Sequence, residues 1–187
     1  MEFTVSLPEW AQAEVQGISC IKSLEERMRA VIRFSRLNIQ HATGGPFAAG
    51  VFEEATGQLV AMGVNRVVPT CCSSAHAEVV AVSLAQRVLK SFDLGAEGMP
   101  RHQLVVNWRP CAMCYGAVLW SGARYLRNAS TTVILDACGR DVFVCVAIRP
   151  LVCASWLSLF LASALTQHAA TPTPIQIPAC RPERAKM

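Results

Sequence analysis

The chain has 187 residues, of which 52% are hydrophobic and 16% charged, a composition that excludes an intrinsically disordered protein and fits one globular domain. The formal net charge is only +4, and residues 1–129 carry 12 basic against 10 acidic side chains. A domain this close to neutral lacks the basic footprint typical of nucleic-acid-binding proteins, so we expect no nucleic-acid partner.

The N-terminal residues and the number of cysteines indicate the cellular compartment of the protein. Residues 1–15 are acidic and contain neither a basic start nor an apolar stretch, so they do not resemble a secretory signal peptide. The apolar run at residues 151–165 is too short to cross a bilayer, and we interpret it as a buried or interfacial helix. We therefore expect a cytoplasmic protein without a membrane partner, in which the closely spaced members of its nine cysteines serve metal binding or catalysis rather than disulfides.

The N-terminal half predicts a helix followed by a β-hairpin. Ser23 and Glu26 form a capping box in front of apolar residues at helical spacing. Residues 47–52 and 58–64 are predicted as paired strands, joined by a turn at Thr56 and Gly57. Four arginines of the first helix are interpreted as a solvated helix face. They are Arg27, Arg29, Arg33 and Arg36.

Two further helices are predicted, each of which follows a strand. The first is capped by Ser73 or Ser74 and ends near Lys90. The second follows a short buried strand at 103–107 and is stopped by Gly122. The segment TTVILD predicts one more strand. This order of elements predicts a layered α/β domain whose strands are parallel beyond the hairpin.

Three residues near the starts of these two helices can bind one metal ion. Cys111 and Cys114, with Pro110 before them, lie three residues apart at a helix start, so both sulfurs share one face. If the two preceding strands are parallel neighbours, His76 at the start of the other helix can meet them. Three ligands would leave one tetrahedral position of a zinc ion open for water. Glu78, on the same helical turn as His76, is placed to act as a base rather than as a ligand.

The combined pattern His-Ala-Glu, then Pro-Cys-Ala-Met-Cys, resembles the signature of the cytidine/deoxycytidylate-type zinc deaminase superfamily. Within it, the segments GGPFAAGVFE, VNRVVP and PCAMCYGAVLWSG resemble bacterial guanine deaminases and related nucleobase deaminases. The resemblance implies a three-layer α-β-α, cytidine-deaminase-like fold with a central mixed sheet. We therefore predict a zinc-dependent deaminase domain at residues 1–129. Residues 130–187 are predicted to be an atypical C-terminal segment, apolar at first and then Pro-rich and disordered.

The same resemblance implies the cofactor, the partners and the chemistry. One zinc ion per chain would be held by His76, Cys111 and Cys114, and the chain would form a homodimer. Asn65, Phe47 and the backbone N–H of Ala77 would contact a free nucleobase. On guanine, a zinc-activated water would attack the amino-bearing carbon, and Glu78 would protonate a ring nitrogen and then the leaving amine, which yields xanthine and ammonia.

Several alternatives stay open at this point. Cys71 or Cys72 could complete a closed, structural four-ligand zinc site. Family members commonly carry a glutamate before the Pro-Cys pair, where this chain has Arg109. The substrate could instead be cytidine, deoxycytidylate or the adenosine of a transfer RNA. A further alternative is a catalytically impaired zinc-binding protein with an altered C-terminus.

The C-terminal segment motivates that last alternative. After about Leu126 the sequence becomes rich in Cys, Ala and Pro, and it lacks the acidic stretch that completes the pocket of guanine deaminases. Asp136 and Asp141 are the only acidic residues before the Pro-rich end. We hypothesise that a frameshift replaced the native segment.

Overall fold

The computed structural model describes residues 4–123, 125–128, 132–135 and 141–144 of the chain. All of them belong to one compact unit within residues 1–149. The predicted helix at 151–165 and the Pro-rich end lie outside the described residues, and the domain boundary at residue 130 stays a prediction. In the described part of the chain, no helix has both the length and the apolar character needed to cross a membrane.

The described chain contains five helices and six strands. In order they are α1 Glu9–Gln16, α2 Leu24–Gln40, β1 Ala48–Glu53, β2 Leu59–Val64, α3 Val67–Thr70, α4 Ala77–Leu89, β3 His102–Val106, α5 Ala112–Trp120, β4 Tyr125–Asn128, β5 Thr132–Leu135 and β6 Asp141–Val144. The predicted hairpin is confirmed as β1 and β2, with Gly57 at φ +77° in the turn between them.

The strands form one mixed sheet in the order β2-β1-β3-β4-β5-β6. Only β3 and β4 run parallel, and every other neighbouring pair is antiparallel. The expectation of parallel strands beyond the hairpin is therefore confirmed for β3 and β4 and wrong for β5, the predicted TTVILD strand. The physical reason is chain length, because the few residues between Asn128 and Thr132 cannot form the crossover that a parallel pair requires.

Helices cover both faces of this sheet, which gives the predicted three-layer α-β-α architecture. Helix α2 lies on the face that carries Phe52 and Gln103, since Arg27 of α2 stacks over Phe52 and bonds to Gln103. Helix α4 lies on the opposite face, where its alanines form one core cluster with Val51 and Leu104. Alternate residues of β1 and β3 thus face helices on opposite sides of the sheet.

Helix α2 begins as predicted, but one of its arginines is not solvated. The Ser23 hydroxyl accepts a hydrogen bond from the Glu26 N–H at 3.5 Å. Arg29 pairs with Glu25 at the surface. Arg27 instead is buried and donates to Gln103 and to backbone carbonyls. The solvated-face interpretation is wrong for Arg27, because it lies on the buried face of the helix and finds hydrogen-bond partners there.

Candidate active site

Helix α4 places His76 at its N-terminal boundary. The helix begins at Ala77 with His76 in the N-cap position, so neither Ser73 nor Ser74 caps it. The reason is the preceding turn, in which the His76 N–H donates to the Ser74 carbonyl and delays the helix start. Two residues into the helix, Glu78 lies in the first turn and is half-buried.

A glycine in β2 sets how closely α4 approaches the sheet. A Cβ added to Gly63 would lie 2.3 Å from the Ala77 carbonyl oxygen and 2.5 Å from the Ala81 nitrogen. Real Cβ atoms do not approach backbone so closely, so position 63 has to be glycine for this packing. The glycine therefore brings the His76 end of α4 down onto the sheet.

The strands that lead into the two helices of the site are not neighbours, contrary to the sequence-based expectation. Strand β1 lies between β2, which precedes α4, and β3, which precedes α5. Both outer strands are antiparallel to β1, so they point in the same direction and end at the same edge. The starts of α4 and α5 can meet there across the width of one intervening strand.

Helix α5 brings both cysteines to His76. Cys111 is its N-cap residue and is exposed, whereas Cys114 is fully buried. The two sulfurs lie 3.6 Å apart, and His76 Nδ1 lies 3.8 Å from Cys111 Sγ and 3.4 Å from Cys114 Sγ. Tetrahedral zinc bonds imply ligand separations of about 3.8 Å between sulfurs and about 3.6 Å from sulfur to nitrogen. The donor set therefore fits a zinc ion in both chemistry and spacing.

The electrostatics around Cys114 also favour a cation. Burial raises the pKa of the Cys114 thiol, and the Glu78 carboxylate and Cys111 raise it further. A thiolate in this position therefore needs a positive charge beside it, which a bound dication supplies. The same interactions place the Glu78 carboxylate next to Cys114, beside the ligand cluster and not within it.

The cysteines of the preceding loop do not join the cluster. Cys71 is exposed in the left-handed region at φ +50°, and the Cys72 sulfur lies 3.1 Å from the Ser74 hydroxyl. Among the residues that the structure describes, the group able to hold a metal has three members. This arrangement supports an open site rather than a closed four-ligand one.

The residues expected to contact the base surround the end of β2. Asn65 follows the last residue of β2 and is buried, and its Oδ1 accepts from the N–H groups of Gly45 and Val67, both at 3.4 Å. Its side-chain Nδ2 makes no hydrogen bond within the described residues. Phe47 is half-buried and packs against the core cluster, and its backbone carbonyl accepts from the Asn65 N–H at 3.0 Å.

The third expected contact is a backbone group. Ala77 is buried, and as the first residue of α4 its N–H has no partner within the helix. No other hydrogen bond from this N–H occurs within residues 4–123. It is therefore available as a donor beside His76.

Sequence reasoning missed Asn107. This buried residue ends β3 as Asn65 ends β2, and its side chain donates to the Pro46 carbonyl and accepts from the Ala48 N–H. It therefore ties the loop before Cys111 to the segment that carries Phe47. The repeated Val-Asn pair at the ends of the two strands was the signal that could have identified it.

Two tryptophans near the cysteine helix are largely exposed. Trp120 is 90% exposed and Trp108 is 51% exposed. Helix α5 is apolar all round yet buries only Cys114 and Val118 completely. The start of the helix is thus held by Cys114 in the core, while Met113, between the two cysteines in sequence, is 42% exposed.

The amino-acid sequence matches a known protein family and a characterised relative. Residues 21–128 match the family described as the cytidine and deoxycytidylate deaminase zinc-binding region. A guanine deaminase of Bacillus subtilis (strain 168) is 31% identical over 97 residues, which are 52% of this chain. The aligned part of this chain spans only 58% of that relative.

Solved structures agree with this match. The guanine deaminase from Nitrosomonas europaea is 45% identical with a TM-score of 0.65, over 69% of this chain and 70% of that chain. The protein NE0047 in complex with 2,6-diaminopurine is 47% identical with a TM-score of 0.65, over 68% of this chain and 67% of that one. A variant of NE0047 has been crystallised with 8-azaguanine.

Proposed function

The chain belongs to the cytidine and deoxycytidylate deaminase zinc-binding family, and we propose that it hydrolyses guanine to xanthine and ammonia. One observation carries this proposal. His76, Cys111 and Cys114 present three zinc ligands within 4.8 Å of one another, with the Glu78 carboxylate beside them. A metal with an open position next to an acid–base group is what hydrolytic deamination requires.

The cluster would hold one zinc ion, which when bound supplies a Lewis acid that activates water. Glu78 is the proton carrier of the proposed reaction. Its carboxylate takes one proton from the attacking water and delivers it to a ring nitrogen of the base. It then takes the second proton from the newly added hydroxyl and delivers it to the amino group, so that ammonia leaves as the carbonyl of xanthine forms. Because Glu78 stands in the first turn of α4, two residues from His76, the same helix start aligns the acid–base group with the metal ligand.

Three groups would orient the base. The Asn65 side chain has its oxygen engaged by backbone N–H groups, so its amide nitrogen is the atom left to donate to a ring or carbonyl acceptor. The Ala77 N–H would donate to the same edge of the base. Phe47, which is half-buried beside Asn65, would pack against the ring face.

The choice of guanine within the family is supported by the relatives. The Nitrosomonas and Bacillus proteins are guanine deaminases, and NE0047 binds the purine analogues 8-azaguanine and 2,6-diaminopurine. The near-neutral charge of residues 1–129 also favours a free base over a nucleic acid. The homodimer and the cytoplasmic location stay predictions.

A substrate panel tests this proposal. Zinc-assayed full-length protein is offered guanine, cytosine, cytidine, deoxycytidylate, adenosine or a tRNA anticodon stem, and the product is identified by chromatography. We expect xanthine from guanine and at least about a hundredfold lower kcat/KM for the others. Turnover of cytidine or of the RNA in preference to guanine would overturn the assignment. Bound zinc without turnover of any substrate would instead favour the impaired zinc-binding alternative.

A further inference from the structure

A buried hydrogen-bond network joins the end of α2 to the residues assigned to base recognition. At its centre is Asn38, whose side chain is 0% exposed. Asn38 Nδ2 donates to the Gly45 carbonyl at 2.8 Å and to the Asn65 carbonyl at 3.0 Å. A side-chain amide has two N–H groups, so both are used, and they connect two segments that are twenty residues apart.

The remaining atoms of the network fix the orientation of this amide. Asn38 Oδ1 accepts from the Thr43 hydroxyl at 2.8 Å, and that hydroxyl accepts from Trp10 Nε1 at 2.9 Å. The Thr43 carbonyl in turn accepts a hydrogen bond from Arg66 Nη1. Every hydrogen-bonding atom of the Asn38 side chain is thus satisfied without water, which is expected to hold the side chain in one conformation.

The two segments held by Asn38 enclose the side chain of Asn65. The Gly45 N–H donates to Asn65 Oδ1, and the Gly45 carbonyl accepts from both Asn38 and the Phe47 N–H. The chain comes so close here that a Cβ on Gly44 would lie 1.9 Å from the Asn65 carbonyl oxygen and 2.7 Å from Asn38 Nδ2. The position of Gly45 therefore decides where Asn65 and Phe47 stand.

We infer that Asn38 is a positioning residue for base recognition, which fixes Asn65 and the Gly44–Phe47 segment in their binding geometry. The inference rests on the proposed function, since it assigns the base to Asn65 and Phe47. Asn38 is fully buried, so it acts on the base only through these residues. Neither the zinc ligands nor Glu78 belong to the network, and its loss is expected to affect ligand binding rather than metal content.

The first test compares Asn38→Asp with Ser35→Ala. Asn38→Asp keeps the side-chain size but replaces two donors by an acceptor that faces two carbonyls. Ser35 lies one turn earlier on α2, is also 0% exposed, and donates to the Ile32 carbonyl. We expect Asn38→Asp to raise the Kd of 8-azaguanine and the KM of guanine at least about tenfold, with zinc content unchanged and kcat altered less than about threefold. Ser35→Ala should leave both constants within about twofold.

A double-mutant cycle separates positioning from general destabilisation. Because Asn38 acts partly through Asn65 and partly through Phe47, the effects of Asn38→Asp and Asn65→Ala on the 8-azaguanine Kd should be less than additive. Fully additive effects of the two substitutions would overturn the inference, as would an unchanged Kd in Asn38→Asp alone. Should Asn38→Asp fail to fold, Thr43→Val removes the hydroxyl that bonds to Asn38 Oδ1 and to Trp10 Nε1 but keeps both donors of Asn38. An unchanged Kd in that variant would also overturn the inference.

Amide hydrogen exchange keeps the test independent of the enzyme assignment. We expect the Gly45 and Val67 amides to exchange at least about tenfold faster in Asn38→Asp than in the wild type or in Ser35→Ala. If the wild type neither deaminates guanine nor binds 8-azaguanine, the proposed function fails while this measurement still reports on the network. Equal exchange rates in the two variants would overturn the role of Asn38 itself.

Discussion

His76 Nδ1 lies 3.4 Å from Cys114 Sγ, although 38 residues separate the two in sequence. The contact joins the starts of α4 and α5 at the edge where β2 and β3 end, and Cys111 completes the cluster. Because β1 separates those two strands, the contact depends on how closely the starts of α4 and α5 approach each other across β1. The close approach of α4 at Gly63 is one measurable part of that geometry.

We expect each of the three clustered residues, and no loop cysteine, to be needed for zinc. Cys114→Ser or Cys111→Ser should lower zinc content well below one ion per chain, since a serine hydroxyl is a poor zinc ligand. Cys72→Ser, whose sulfur contacts Ser74 rather than the cluster, should retain the full zinc content. Atomic absorption on the purified proteins measures this, and zinc loss in Cys72→Ser equal to that in Cys114→Ser would favour a closed four-ligand site.

Zinc-free protein should become less stable as the pH rises above about 9. Burial and the Glu78 carboxylate raise the pKa of the Cys114 thiol above its ordinary value of 9.0, so the folded chain keeps a proton that the unfolded chain loses. Where the unfolded state binds fewer protons, stability falls with rising pH. With chelator present, the thermal midpoint should therefore fall more between about pH 8 and 10 for the wild type than for Cys114→Ser. Parallel declines in the two proteins would contradict this.

Gly63→Ala should destabilise the protein and weaken zinc binding. The added Cβ would lie 2.3 Å from the Ala77 carbonyl oxygen, which forces α4 and His76 away from the sheet. Such overpacking costs about 1–3 kcal/mol of unfolding free energy, measurable by urea denaturation. Gly116→Ala in α5 is the matched control, since its Cβ meets nothing within 4 Å and helix propensity favours alanine by about 0.5–1 kcal/mol. Equal effects of the two substitutions would argue against close α4 packing as the cause.

Phe47→Leu should weaken guanine binding without removing zinc. Stacking of a base on an aromatic ring contributes about 1–3 kcal/mol, so we expect KM to rise roughly tenfold while zinc content stays constant. Phe92→Leu is the control, because Phe92 is 85% exposed and lies in the loop after α4. The KM of guanine is measured by steady-state kinetics. If Phe47→Leu has the same KM as Phe92→Leu, Phe47 does not contact the base.

The local parts of this structure were predictable from sequence, and the tertiary parts were not. The N-cap at Ser23, the hairpin turn at Gly57 and the helix stop at Gly122 each depend on neighbouring residues alone, and each occurs where expected. The three zinc ligands were also found, because metal ligands have a restricted chemistry and spacing.

One error was local, since the turn before His76 displaces the predicted cap of α4, and the others arose where distant segments decide the outcome. Arg27 was assigned to solvent because arginine is usually exposed, yet long-range partners such as Gln103 satisfy it in the interior. The direction of β5 depends on the short connection from β4, which cannot form a crossover. The roles of Asn38 and Asn107 depend on their contacts with other loops. The frameshift hypothesis for residues 130–187 remains a hypothesis, and translation of the other two reading frames of the source DNA tests it.

The most direct test of the account compares ammonia release from guanine by the wild type and by Glu78→Gln, each assayed at one zinc per chain. The wild type should turn over guanine, and Glu78→Gln should be slower by about 10²–10⁴-fold at equal zinc content, since it lacks the proton carrier. Glu97→Gln, in an exposed loop, should match the wild type. Equal rates for Glu78→Gln and the wild type, or a zinc-loaded wild type that releases no ammonia from guanine, would contradict the central claim.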